Sequence, residues 1–434
     1  MAPTFPSFQP PPSVAHRGRS HVPRFVHTSD WHLGATLGGH ARDEDHARFL
    51  AWLVELLRDR NADALIVAGD VFDQSQPSAE AQQLYFRFLR DVRTAGVRNV
   101  VIVGGNHDSA SRLDAPRDVL AHLDVSVVGG FTADDANGTR CLVPVRDPRG
   151  DVVAVVLAVP FLHEFRLGVR TSTGSVDEIR ENFRERFTAL YTTLTDRAIA
   201  MHPGVPIVAT GHLACVGADR GDAPADVHMI GTLGGLPWSI FDPRIDYVAL
   251  GHIHRGYQVS TSRAWYCGTP VALTMREALA PRHVLLVEVD GTGKPPRVEH
   301  VPVPRTRDLI ELRGDIEQIE IRLGTLRTDA PLVPMVNVLV EVSHTQASVG
   351  DRVRRAVERN TVANIRLVGL QQLLATSETA NASTIAVAPR LADLTPTQVF
   401  ERLCASRNIV PDDSLRRTFD EILSARDEVE PGTR

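Results

Sequence analysis

The sequence predicts an α/β fold layered α–β–β–α, and three observations carry that reading. From Arg24 to about Val303, short runs rich in Val and Ile alternate with amphipathic helical stretches. The apolar runs lack polar alternation, as expected of strands in sheets covered on both faces. Five of the runs end in loops bearing Asp, Asn or His.

In chain order, residues 1–23 hold six prolines and read as a disordered Pro-rich extension, with no apolar core for a signal peptide. Strands are expected at Phe25–Thr28, Ala64–Ala68, Val100–Val103, Val152–Ala158, Ile207–Ala209 and Tyr247–Leu250. Helices are expected at Asp43–Asp59, Ala79–Ala95 and Val176–Ala200. The first of these carries Phe49, Leu50, Leu53, Leu56 and Leu57 on one face. This first unit spans 24–304. Residues 305–375 read as a smaller βαβαβ module. Its strands are Leu309–Leu312, Val336–Val342 and Ile365–Leu370, and its helices are Ile316–Leu326 and Val349–Glu358. A polar linker, 376–390, leads to a helical segment, 391–428. There Pro396–Ser406 presents Val399, Phe400 and Leu403, and Pro411–Ser424 presents Leu415, Phe419, Ile422 and Leu423. Apolar faces on so small an appendage suit a partner helix or folding back on their own domain.

Bulk composition excludes several classes. Lys294 is the single lysine among 47 basic residues, and Pro295 follows it. A phosphate-cradling loop needs Gly-Lys followed by Ser or Thr, so the chain cannot form a standard ATP-binding P-loop. Cys141, Cys215, Cys267 and Cys404 form no CxxC pair, which fits a reducing, cytoplasmic setting. The longest apolar run, Val152–Leu162, is too short to span a bilayer. A net charge of −6 argues against a polybasic nucleic-acid coat but not against a nucleic-acid enzyme, because only the field at the groove matters.

The chemistry lies in the five loops. They read Ser29-Asp30-Trp-His32, Gly69-Asp70, Gly105-Asn106-His107-Asp108, Gly211-His212 and Gly251-His252-Ile-His254. Ligands at the carboxyl ends of strands in an α/β sheet meet in one crevice. Singly, an Asp-x-His pair or a Gly-Asp turn is common by chance; five in this placement are not. Without thiolates, imidazole, carboxylate and amide donors suit Mn²⁺, Fe²⁺ or Zn²⁺.

The order D-x-H, G-D, G-N-H-D, G-H and G-H-x-H resembles that of the calcineurin-like metallophosphoesterases. Closer wording resembles the SbcD family of bacterial nuclease subunits: His27–Gly34, Val67–Asp73, Ala209–Leu213, Ala249–Arg255 and Tyr266–Pro270. The resemblance implies a four-layer metallophosphoesterase core, a small α+β DNA-capping domain and C-terminal helices that dock a partner. It implies one metal held by Asp30, His32, Asp70 and His254, and a second by Asp70, Asn106, His212 and His252, with Mn²⁺ favoured. It makes His107 the catalytic histidine, with Asp108 orienting its ring, and Asp73 a further catalytic candidate. Arg42, Arg112, Arg166, Arg220 and Arg255 lie near the motifs and could grip DNA phosphates. Leu84, Phe88 and Leu89, with Val119, Leu120 and Leu123, read as a homodimer interface or as ordinary core. The implied function is a duplex-end exonuclease and a hairpin or single-strand endonuclease in DNA repair and recombination. It would work with an SMC-like ATPase of the SbcC type, in a nucleoid-associated heterotetramer. The alternatives are a small-molecule phosphodiesterase of the same superfamily and a metal-free scaffold.

Overall fold

Runs of Val, Ile, Leu and Ala are fully buried only when both faces of their sheet are covered, and that is how the chain arranges them. The computed structural model describes residues 21–131, 138–162, 176–216, 235–291 and 293–374. It also describes Phe400, Cys404, Leu415, Arg416, Thr418 and Phe419. In the first of two six-stranded sheets, Arg24–Thr28, Ala64–Ala68, Val100–Val103 and Val125–Val128 run parallel. His283–Glu288 and Arg297–Pro302 extend the sheet antiparallel beyond Arg24–Thr28. In the second sheet, Ala264–Tyr266, Tyr247–Gly251, Ile207–His212 and Val152–Leu157 run parallel. Tyr257–Gln258 and Leu142–Arg146 form its antiparallel edges.

The two sheets pack face to face through Phe25, Ile66 and Val101 of the first and Val156, Val208 and Tyr247 of the second, and the same cluster takes in Phe187, Tyr191 and Leu194 of the helix Val176–Met201. The opposite face of the first sheet is covered by Asp43–Asp59 and Ala79–Thr94. There Phe49, Leu53, Leu57, Tyr85 and Phe88 meet Val26, Leu65 and Ile102. Each such side chain stabilises the fold by roughly 1.5–3 kcal/mol when fully buried. Ser78 caps the second of these helices, its hydroxyl accepting the Ala81 N–H at 3.1 Å. The α–β–β–α layering is therefore as expected. The antiparallel strands outside the parallel blocks were not expected. Leu142–Arg146 contains Pro144 and Arg297–Pro302 is largely exposed, so neither carries the buried-strand pattern.

Three parallel strands, Arg307–Gly314, Leu332–Val342 and Arg366–Leu374, form a separate sheet with Ile316–Thr325 and Ser348–Arg359 in the connections. Ile319, Leu323, Val336, Val338, Val349 and Val353 form its own core. An ion cluster joins this sheet to the first unit. Arg307 donates from Nε to Asp45 Oδ2 at 2.9 Å, and Arg42 donates to both Asp45 oxygens, all three side chains being buried. Most of the expected terminal helices lie outside the described residues. Of the residues described there, Phe400 and Phe419 stack with centroids 4.2 Å apart, so the two apolar faces meet each other at that point. No helix among the described residues is long and apolar enough to cross a membrane.

Candidate metal centre

The strands Arg24–Thr28, Ala64–Ala68, Val100–Val103, Ile207–His212 and Tyr247–Gly251 bring their ligand loops to one end of the sandwich. The first two loops continue to pair past their strands. Asp30 N–H donates to Gly69 O at 3.0 Å, His32 N–H to Asp70 O at 3.1 Å, and Leu33 N–H to Val71 O at 2.9 Å. In the second sheet, the register pairs His212 with Gly251, setting His252 beside it. Trp31, between two ligands, points the other way into the core against Phe49 and Phe88.

Four of the expected ligands sit in left-handed backbone: Asp30 (φ 52°), His32 (φ 51°), Asp70 (φ 49°) and His252 (φ 92°). Such residues carry strain of order 1–3 kcal/mol each and cluster where geometry serves function. Glycine permits the closest approaches. A Cβ on Gly105 would stand 2.1 Å from Asp70 Oδ1, and one on Gly69 would stand 2.2 Å from His212 Nδ1.

The donor set converges. Asp30, His32 and His254 place ligand atoms within 4.8 Å of one another, as do Asp30, Asp70 and His212. His212 Nε2 is 3.2 Å from Asp70 Oδ2 and 3.0 Å from Asn106 Oδ1. Asn106 Oδ1 is also 3.0 Å from His252 Nδ1. His212 Nδ1–H donates to Ala68 O at 2.8 Å, which leaves its Nε2 for this cluster. Both nitrogens of buried His32 lack hydrogen-bond partners, although Nε2 is 3.6 Å from Asp70 Oδ2 and Nδ1 is 3.3 Å from Asp73 Oδ1. Buried donor atoms facing one another fit divalent cations; Asp30 is common to both groups, and Asp70 Oδ2 lies between His32 and His212.

Electrostatics agree. Burial lowers the proton affinity of His212, but the Asp70 charge and hydrogen bond outweigh it and push the imidazole up to about 9. Burial would raise the Asp70 carboxyl; His212 and His32 instead hold it well below the usual carboxylate range. Without metal, then, a proton on His212 supplies the positive charge that a cation would replace. Burial, and then the His212 charge, bring His252 down to about 4, which keeps that ring neutral.

His107 stands beside His32 with ring centroids 4.8 Å apart. Its orientation differs from expectation. The ring is held by Nδ1–H donating to the Asp73 carbonyl at 2.9 Å. The Asp108 carboxylate instead accepts the backbone N–H groups of Gly105 (2.9 Å), Val71 (3.1 Å) and Phe72 (2.9 Å). Asp108 therefore ties two ligand loops together and does not orient the ring. Asp73 contributes its carbonyl to His107 and its carboxylate to His32.

Arg42 also departs from expectation. It is 2% exposed, paired with Asp45 and donating to Ala272 O at 2.6 Å, so it cannot reach a DNA phosphate. Arg112 and Arg255 are exposed, and Arg166 and Arg220 lie outside the described residues. Phe88, Leu89 and Leu120 are buried in the core and offer no dimer surface, whereas Leu84 and Leu123 are half-buried against it and Val119 is exposed. Sequence reading overlooked Glu277, whose Oε1 accepts His254 Nδ1–H at 2.9 Å. It stands 23 residues after its partner in a Pro- and Ala-rich stretch that offers no spacing signal.

The calcineurin-like phosphoesterase family matches residues 23–256, and the family described as the type 5 capsule protein repressor C-terminal domain matches residues 305–408. The SbcD subunit of the SbcCD nuclease from Escherichia coli K12 is 35% identical over 329 residues, covering 74% of this chain and 78% of that protein. Its counterpart in Rhodobacter capsulatus is 38% identical over 293 residues, covering 67% and 71%. The Bacillus subtilis counterpart is 28% identical over 268 residues, covering 61% and 66%.

Proposed function

The chain belongs to the calcineurin-like phosphoesterases, and within them to the SbcD subunits of the SbcCD nuclease; from that premise we propose how its residues cleave DNA. It is a DNA nuclease subunit, a phosphodiesterase that uses divalent metals. Mn²⁺ is the proposed ion. It suits mixed imidazole, carboxylate and amide donors and is the ion favoured by family likeness.

Bound divalent ions supply an activated water and neutralise charge at the phosphorus. The protein does the rest. Asp30, His32, Asp70 and His254 hold one ion, and Asp70, Asn106, His212 and His252 hold the other. His107, braced by the Asp73 carbonyl, uses Nε2 to stabilise the phosphate charge or to protonate the departing sugar oxygen. Hydrolysis consumes one water and leaves a phosphate monoester and a free hydroxyl. Asp108 keeps the Gly69-Asp70 and Gly105–His107 loops in register so that this geometry persists.

Around this centre, residues 305–375 would cap the DNA, and the helices in 391–428 would dock an SMC-like ATPase of the SbcC type. The chain would act as a dimer within a heterotetramer, cutting duplex ends as an exonuclease and hairpins or single strands as an endonuclease. The observation that carries the metal-dependent reading is the convergence of donor atoms from Asp30, Asp70, His212 and His254 on buried His32, whose two ring nitrogens have no hydrogen-bond partner. The test incubates linear duplex and hairpin DNA with Mn²⁺, with and without partner and ATP. Cleavage of both substrates that rises with partner and ATP is expected. Turnover of nucleotides with no cleavage of DNA would favour the small-molecule phosphodiesterase.

A further inference from the structure

We propose that Glu277 is a positioning residue that fixes His254 for the ion shared with Asp30 and His32. The inference rests on the ligand assignment above and extends it to a residue outside every motif. Glu277 Oε1 lies 2.9 Å from His254 Nδ1, while Oε2 accepts the Leu273 N–H at 2.7 Å and the Thr274 N–H at 3.3 Å. Its own N–H donates to Thr274 Oγ1 at 3.2 Å. The carboxylate is thus fixed by its own turn before it meets the imidazole.

The contact decides the tautomer. With the proton held on Nδ1 by a carboxylate, the lone pair on Nε2 is the one left for an ion, and the ring becomes a stronger donor. The main chain of the same residue is clamped as well. His254 O accepts from Arg282 at 2.8 Å and from the Thr269 N–H at 3.2 Å. His254 is therefore held on ring and backbone by one segment, 269–282.

An asymmetry between the two sites follows. His32 is faced by the Asp73 carboxylate at 3.3 Å and His254 by Glu277, so both imidazoles of the first site are backed by carboxylates. At the second site, the His212 ring is backed only by the neutral Ala68 carbonyl. Removing Glu277 should weaken one ion and leave the other alone. Loosening of the fold would weaken both.

The test is calorimetric titration of the full chain with Mn²⁺ alone, for wild type, Glu277→Ala, Glu277→Gln and His254→Ala. Glu277→Ala should weaken one of two binding events by about 10–100-fold and leave the second unchanged. Glu277→Gln keeps an oxygen able to accept from Nδ1 and should recover part of the loss. His254→Ala should weaken the same event. Wild-type affinity for both ions in Glu277→Ala, or equal weakening of both, overturns the proposal. If Glu277→Ala does not fold, Glu277→Gln is read in its place, and unchanged binding there overturns it. Two undisturbed ions in His254→Ala would instead overturn the ligand assignment beneath it.

Discussion

His107 and Asp108 are neighbours with opposite duties, and substitution separates them. His107→Ala removes a ring whose hydrogen bond goes to the Asp73 carbonyl, so the metal loops keep their ties. Two ions per chain should remain by metal analysis, while DNA cleavage falls by about 10²–10⁴-fold; unchanged cleavage would refute the role. Asp108→Ala strands three backbone N–H groups at about 1–3 kcal/mol for each that stays buried and unpaired. It should lower the melting temperature and metal affinity together, and a variant that lost activity alone would contradict the bracing role. The residue types at this centre were legible because each loop pairs a strand end with a ligand. The wiring between them was not. Asp73 reaches His107 through a backbone carbonyl, which no side-chain motif records, and the left-handed φ values at Asp30, His32 and Asp70 leave no mark in composition.

At the scale of elements, the helix Asp43–Asp59 joins the two units as well as covering a sheet. Its Asp45 sits between Arg42 of the preceding loop and Arg307 of the strand Arg307–Gly314. Burial would raise the Asp45 carboxyl, but the two arginines outweigh it and hold it below its ordinary value of 3.8. A depressed carboxyl contributes stability above its unfolded value, and that contribution is lost as pH falls through the folded one. The junction should therefore hold from neutrality to about pH 4 and loosen below it. Limited proteolysis across 302–309 with an acid-tolerant protease would show this, and Asp45→Asn should be loose at every pH. Arg307→Ala leaves Asp45 with one charged partner, Arg42, and should destabilise the chain by about 3–5 kcal/mol, measured by denaturant unfolding. The helices and buried strands were legible from apolar spacing, as with Phe49, Leu53 and Leu57. Arg42 was misread because an arginine beside a motif looks the same in sequence whether it faces solvent or a buried carboxylate.

For the molecule as a whole, the proposed ATPase partner would dock through the terminal helices. Deleting residues 391–434 should abolish association with an ATPase partner in pull-down and leave basal Mn²⁺-dependent cleavage intact; retained association would refute docking through those helices. Metal removal should be felt globally. Four expected ligands (Asp30, His32, Asp70, Asn106) come from the first sheet and three (His212, His252, His254) from the second. Saturating ions at 100 times their dissociation constant stabilise the folded state by about 2.7 kcal/mol per site, so chelation should lower the melting temperature. That split has a mechanical consequence. Any slip of one sheet over the other alters ion–ligand distances on both sides of the seam at once, so the metal pair acts as a gauge of alignment. Trimming Phe25 or Ile66, buried between the sheets, should then surface as faster ion release while the chain is still folded.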